Sequence, residues 1–181
     1  MTEKEKMIAG EWFDPQDAEL TADRTRATRL RHRLNVVLCD HDEEYRRVMR
    51  ELCPAMEGFI RAPFQCDYGY NVSAGAGTFI NFGCVCIDLA PIRIGRRTLI
   101  GPNVQLLTAH HQFDAAERAT QRECGRPITI GDDCWLGGGA IVCPGVTIGD
   151  GCIVGAGAVV TKDLPARSLA VGNPARIVRT L

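Results

Sequence analysis

The stretch IGDDCWLGGGAIVCPGVTIGDGCIVGAGAVVTKDLP, residues 130–165, returns an aliphatic residue every six positions, at Ile130, Leu136, Val142, Ile148, Val154 and Val160. Glycine follows directly at Gly131, Gly137, Gly149 and Gly155, and a residue that is usually small stands four places on, at Cys134, Ala140, Val146, Cys152 and Ala158. A period of six matches neither the 3.6 of a helix nor the two of a simple strand. Short fixed repeats mark solenoids, and hexapeptides point to a parallel β-helix. If three hexapeptides make one triangular turn, a coil takes about eighteen residues and rises by roughly 4.8 Å. Stacked anchors then form the core, each buried Ile, Leu or Val contributing on the order of 1.5–3 kcal/mol. The spacing leaves the hand of the coil open.

Toward the N-terminus the phase continues, more weakly, through Ala62, Tyr68, Ala74, Ile80 and Cys86. The next anchors are Ile94, Ile100 and Leu106, so two extra residues interrupt the phase between Asp88 and Arg93. A longer interruption, an inserted loop at 109–127, precedes Ile130; Leu106 and Ile130 differ by 24, which keeps the multiple of six. The phase also accounts for five of the nine cysteines. Cys66, Cys84, Cys134 and Cys152 fall four places after an anchor and Cys86 is an anchor, so all five are expected to face the core. With no CxxC pair, neither disulfides nor a metal cluster is expected.

Residues 1–55 read as a helical cap and 56–181 as the β-helix. Asp17 is a candidate N-cap for a helix whose apolar face is Leu20, Ala27, Leu30 and Leu34. A second helix is expected from Glu43 to Leu52, with Tyr45, Val48, Met49 and Leu52 as its apolar stripe and Pro54 ending it. The bland role for both is to close one end of the solenoid, a general need of repeat proteins.

Twenty-one basic residues against 22 acidic ones give a net charge of -1, which argues against wholesale binding to nucleic acid or to an anionic membrane. No run approaches the roughly 18 apolar residues of a membrane span, and the start MTEKEKMIAGEW lacks a signal peptide's apolar core. A cytoplasmic protein is the expectation.

Interruptions in a rigid solenoid are where function enters. The long one carries His110 and His111, half of the chain's four histidines. An imidazole suits a general base near neutral pH, but exposed or hydrogen-bonded loop histidines fit the pattern equally well. Tyr70, Asn81 and Asp88, with Asp14 and Asp17 from the cap, could hydrogen-bond a polyol or serve as turn and cap residues. WLGGGA and VGAGAVVTKD leave backbone amides accessible beside Trp135, and Lys162, Arg176 and Arg179 could meet phosphates.

These residues bring out a resemblance. The chain resembles the hexapeptide-repeat acyltransferases, and within them the maltose, galactoside and nodulation-factor O-acetyltransferase branch. The carrying motifs are MIAGEWFDPQDAEL, RATRLRHRLN, YGYNV, INFGCVCID, IGPNVQLLTAHHQFD, the RPITIG repeat region and AVGNPARIVR, which cover nearly the whole chain. The resemblance implies a left-handed β-helix, an exception to the right-handed crossover rule, and a homotrimer with acetyl-coenzyme A bound between neighbouring prisms. It implies direct transfer to a saccharide hydroxyl, with His111 as general base and the Gly138 N–H as oxyanion donor. Asn81 matches an acceptor-contacting asparagine and Glu123 an acidic residue that orients the histidine. Trp135, Ala156, Thr161, Lys162, Arg176 and Arg179 match positions lining the coenzyme site. There are departures: Tyr70 stands where galactoside acetyltransferases carry a serine, Leu89 where a second aspartate can follow Asp88, and HHQF lacks the proline that commonly follows the histidine.

Other readings make different demands. A hexapeptide-repeat acetyltransferase could act on an antibiotic or on serine. A zinc hydratase needs three histidine ligands, whereas the prism region has two adjacent ones and His32 and His41 belong to the cap. A non-catalytic trimeric scaffold would have no use for His111, Asn81 and Trp135.

Overall fold

In the computed structural model, which describes residues 1–40 and 42–181, the anchors stack in three columns, one for each face of a triangular prism. Ala74, Ile94, Ile130 and Ile148 form the first column. Ile60, Ile80, Ile100, Leu136, Val154 and Ala170 form the second. Cys66, Cys86, Leu106, Val142 and Val160 form the third. Every one of these side chains is buried. All pairings between coils are parallel, and the chain winds as a left-handed β-helix; a final strand, Arg176–Thr180, folds back antiparallel on Ser168–Val171.

The first coil corrects the phase read from the sequence. Ala62 and Tyr68 are not anchors; Ile60 and Cys66 occupy their columns. The reason is a second two-residue expansion. Eight residues, not six, separate Cys66 from Ala74, just as they separate Cys86 from Ile94. Missing one expansion moves every earlier assignment by two positions, and an even shift preserves which side of a strand faces inward. Cys66 is therefore a core residue, as expected, but as an anchor stacked on Cys86.

Both expansions occur at the edge between the third and first faces. The loop at 109–127 leaves the prism at the same edge, between Leu106 and Ile130. Three successive coils thus bulge outward at one place, and the bulges are bonded to each other. Asp88, wholly buried, accepts from the backbone N–H groups of Asp67 at 2.8 Å, Tyr68 at 2.9 Å and Gly69 at 2.8 Å. In the next coil the Thr108 hydroxyl donates to the Ile87 carbonyl at 2.6 Å and accepts from the Ala90 N–H at 3.0 Å.

Four places after the first-face anchors, Thr78, Thr98, Cys134 and Cys152 form an internal column. Thr78 and Thr98 donate their hydroxyls to Gly95 and Gly131 carbonyls, and the thiols of Cys134 and Cys152 reach the carbonyls of Gly149 and Pro165. Thiols here serve as small apolar side chains with a weak donor. All nine cysteines are free.

Helix α1, Glu3–Ala9, has a capping box of Thr2 and Glu5. Helix α2, Ala18–His32, starts at Asp17 and runs on through a π-helical turn, Arg33–Val37; helix α3 is Glu43–Leu52. The apolar faces expected for α2 and α3 are buried; Ala27, Leu30, Leu34 and the α3 stripe share one core with the prism, while Leu20 belongs to a separate small core. They also close the exposed edge of the first coil, where unpaired backbone would otherwise invite association. Tyr45 donates to the Ile60 carbonyl, Met49 sulfur accepts the Ile60 N–H, and Asn35 bonds both the N–H and the carbonyl of Phe64. His41, counted among the cap histidines, lies outside the described residues. No described helix is long and apolar enough to cross a membrane.

Candidate active site

The loop is a short hairpin. Strand Ala109–His110 pairs antiparallel with Cys124–Gly125, and a one-turn helix α4, Ala115–Arg118, capped by Asp114, sits at its tip. The returning arm is tied to the cap segment, since Phe13 and Glu123 exchange both backbone hydrogen bonds, at 2.9 and 3.1 Å. Neighbouring residues of an extended chain point to opposite sides, and this separates the two histidines. His110 packs between Trp12, at 6.1 Å, and Phe113, edge-on at 5.2 Å. The His111 side chain is 52% exposed, with Nε2 3.9 Å from Oε1 of Glu123.

His111, Glu123 and Pro15 border two cavities. The inner one, about 260 Å³, is completed by Arg24, Asp67, Tyr68, Ile87, Leu89 and Ala109. The outer one, about 340 Å³, is completed by Gln16, Arg118 and Gln121. The enlarged edge of the prism supplies one wall and the cap the other, joined by a small core of Met7, Phe13, Leu20, Tyr68 and Leu89. Arg24 donates to the Tyr68 hydroxyl at 2.9 Å, the Pro15 carbonyl at 2.6 Å and the Thr21 hydroxyl at 3.1 Å. Burial raises the Asp67 carboxyl above its ordinary range, against the pull of Arg31 and Arg24. Burial likewise raises Glu123, against the pull of the neighbouring His111. One side of the inner cavity is therefore polar and the other aliphatic.

Of the residues singled out in the sequence, His111 and Glu123 meet here. Asp88 lies beneath the cavity with no exposed surface, and its side-chain oxygens accept from three backbone N–H groups. Tyr70 is held in a network with the cap. Its hydroxyl donates to Asp23 at 3.0 Å, Lys4 stands 5.1 Å from its ring centre, and Lys4 pairs with Asp23 at 2.8 Å. That network turns Tyr70 into the cap. Asp17 spends one carboxylate oxygen on the N–H groups of Glu19 and Leu20, and Asp14 caps its own turn by accepting from Gln16.

The remaining candidates lie elsewhere on the prism. Asn81, Gly101, Gly137 and Gly155 each follow an anchor of the second column, so they stack along the edge between the second and third faces. Gly138 and Ala156 are on this edge. Trp135, 53% exposed, projects from the second face between Leu99 and Ile153. Among the described residues no hydrogen bond engages the Gly138 N–H. A Cβ at Gly137 would lie 2.5 Å from the Ala156 nitrogen, so glycine there permits the coils to stack. Thr161 and Lys162 follow Val160 at the base of the edge that carries His111, while Arg176 and Arg179 are exposed on the returning strand.

Arg24, Asp67 and Tyr68 were not singled out for the site. A signal existed: the eight-residue interval from Cys66 to Ala74 repeats the expansion after Cys86, and repeated departure from six at one edge marks residues pushed outward.

Comparison with known proteins agrees with this architecture. The maltose acetyltransferase hexapeptide capping motif matches residues 6–56, and the hexapeptide repeat of succinyl-transferase matches residues 127–162. Nodulation protein L of Rhizobium meliloti is 49% identical over 97% of each chain. The crystal structure of a maltose O-acetyltransferase from Clostridium difficile superposes with a TM-score of 0.95 at 40% identity, covering 100% of this chain and 98% of that one. A hexapeptide-repeat acetyltransferase from Vibrio cholerae, complexed with acetyl-coenzyme A, gives a TM-score of 0.92 at 40% identity over 100% and 99% of the two chains. With near-complete coverage at such identity, the chain belongs to the hexapeptide-repeat acetyltransferases, in the branch of the maltose, galactoside and nodulation-factor O-acetyltransferases.

Proposed function

We propose that the protein transfers acetyl from acetyl-coenzyme A to a hydroxyl of a saccharide, in a ternary complex, with His111 as general base. The observation that carries this reading is the position of His111, half-exposed on the wall common to two cavities, with the Glu123 carboxylate beside it. His111 takes the proton of the acceptor hydroxyl as that oxygen attacks the thioester carbonyl, and returns it to the departing thiolate. Such assistance is worth roughly 10²–10⁴ in rate. The free N–H of Gly138 donates to the developing oxyanion, worth about 10²–10³. Trp135, Ala156, Thr161, Lys162, Arg176 and Arg179 hold the coenzyme, and Asn81 reaches the acceptor.

His111 and Gly138 belong to different edges of one prism, so one chain alone does not join base to oxyanion donor. A homotrimer, with an edge of each prism facing its neighbour, joins them. The exposed apolar residues Leu99 and Trp135 on the second face favour such packing. The Vibrio cholerae relative holds acetyl-coenzyme A, and the small residues and free amide around Gly138 suit the same ligand here. Nine free cysteines fit a reducing cytoplasm.

The test supplies acetyl-coenzyme A and a panel of saccharides to the purified protein and follows thiol release and acetyl-ester formation. His111→Ala should lower turnover by about 10²–10⁴ while sedimentation still reports the assembled protein. Near-normal turnover by His111→Ala would exclude this mechanism.

A further inference from the structure

Helix α3 carries Arg46 and Arg50 one turn apart, both exposed. Like charges four places apart on a helix repel, and an ion pair with a neighbour would relieve them. Among the described residues no side-chain hydrogen bond or ion pair engages either one. Glu44 of the same helix is taken instead by Arg33 and Arg47. Arg46 and Arg50 border a groove of about 400 Å³ between α3 and the second face of the prism. Its opposite wall is aromatic: Phe59 and Phe79, paired on successive coils, stack with rings 4° from parallel and centres 6.4 Å apart. Glu57, exposed and without a side-chain partner among the described residues, completes the rim. Gly58 and Gly77 keep the floor free of side chains, and a Cβ at Gly58 would lie 2.5 Å from the Thr78 carbonyl oxygen.

Each wall fits a different part of one class of ligand. A flat aromatic shelf takes a planar ring, a carboxylate accepts from the hydroxyls of a ribose, and two guanidinium forks hold phosphate. We propose that this groove is a nucleotide site, with the base on Phe59 and Phe79, the ribose on Glu57 and the phosphates on Arg46 and Arg50. Its volume lies within the range of small-molecule sites. Glu57 repels a bare anion, so the ligand must bring hydroxyls as well as phosphate. None of these residues borders the two cavities beside His111. Phe79 pairs with Leu99 and Leu99 with Trp135, which puts the shelf two coils, roughly 10 Å, from Trp135. The groove thus adjoins the residues assigned to the coenzyme without sharing one with them.

Calorimetry of the intact protein with ADP, adenosine and inorganic pyrophosphate, at low and high salt, tests the assignment. ADP should bind one site per chain, more tightly than adenosine or pyrophosphate, and should weaken as salt rises. Replacing both exposed arginines, Arg46→Gln with Arg50→Gln, should weaken ADP about 10- to 100-fold and adenosine less than about twofold. Phe79→Leu should weaken ADP and adenosine alike, roughly 5- to 10-fold, and leave pyrophosphate unchanged. Affinity for coenzyme A should stay within about twofold of wild type in the arginine variant. No binding of ADP by wild type, or equal affinity in the arginine variant, overturns the site. Pyrophosphate binding as tightly as ADP overturns the nucleotide assignment, because the arginines alone would then suffice. A loss of coenzyme A affinity as large as that for ADP overturns a separate site and gives the groove to the coenzyme.

Discussion

Oε1 of Glu123 lies 3.9 Å from Nε2 of His111, and the backbone of Glu123 is bonded in both directions to Phe13. One residue thus ties the histidine of the prism loop to the cap segment. The pair is partly exposed, and exposed pairs of this kind are worth roughly 0.2–1 kcal/mol. Glu123→Gln should therefore lower kcat only about two- to fivefold, far less than His111→Ala. Equal losses in the two variants would mean that Glu123 has a chemical role of its own.

Asp88 gives the protein a pH-dependent stability. Burial pushes its carboxyl up to about 7, against the three N–H groups it accepts. The unfolded value is near 3.9, so between about pH 4 and pH 7 the folded chain binds more protons than the unfolded one. The contribution of this group to stability falls as pH rises through that window. Asp67 and Glu123, also raised, act in the same direction. Melting temperature measured from pH 4.5 to pH 7.5 should show a shallower decline in Asp88→Asn than in wild type; parallel curves would rule out the effect.

Leu136 is wholly buried, stacked between Ile100 and Val154. Leu136→Ala should cost about 2–5 kcal/mol through lost transfer energy and the cavity left in a rigid column. For a chain of this length that is a fall of roughly 5–15 °C in melting temperature. Calorimetric scans at one protein concentration read it directly, since assembly makes melting concentration-dependent.

Trp135 is more than half exposed although the next residue, Leu136, is wholly buried. If it packs against coenzyme A, Trp135→Ala should weaken coenzyme binding about 5- to 30-fold, as aromatic anchors do, with little change in melting temperature. Titration of wild type with coenzyme A should also alter its tryptophan fluorescence, and the change should vanish in the variant.

Cys39 is the exposed thiol, Cys143 is half-buried and the other seven are buried. Burial raises the thiols of Cys53, Cys66, Cys84 and Cys86, which removes their reactive thiolate at neutral pH. A thiol reagent should label one site per chain rapidly in the native protein and nine after denaturation. Cys39→Ser should abolish the fast phase, which makes it a useful background for thiol-release assays.

The residues that fill a fixed geometric role were legible in advance. The six-residue phase placed Ile130, Leu136, Val142, Ile148, Val154 and Val160 correctly, because a regular coil leaves one inward position per face. The stripes of α2 and α3 were equally plain, since helical period and capping are local. Failure came where the coil departed from six. Ala62 and Tyr68 were assigned to columns held by Ile60 and Cys66, and the burial of Asp88 beneath a backbone turn was not visible along the chain.

The sequence by itself determined the prism, its cap and the loop that carries His111, since repeat phase, helical period and interruption are all written along the chain. Only the tertiary structure decided which side chains share a space. Asp67, Arg24, Leu89, His111 and Glu123 come from coils and a cap far apart in sequence, and they meet because three successive expansions fall at one edge of the prism. Distance along a chain says nothing about that edge until the coils are stacked, 20 residues to a turn from Ile60 to Ile80 and from Ile80 to Ile100, 18 from Leu136 to Val154 and 16 from Val154 to Ala170.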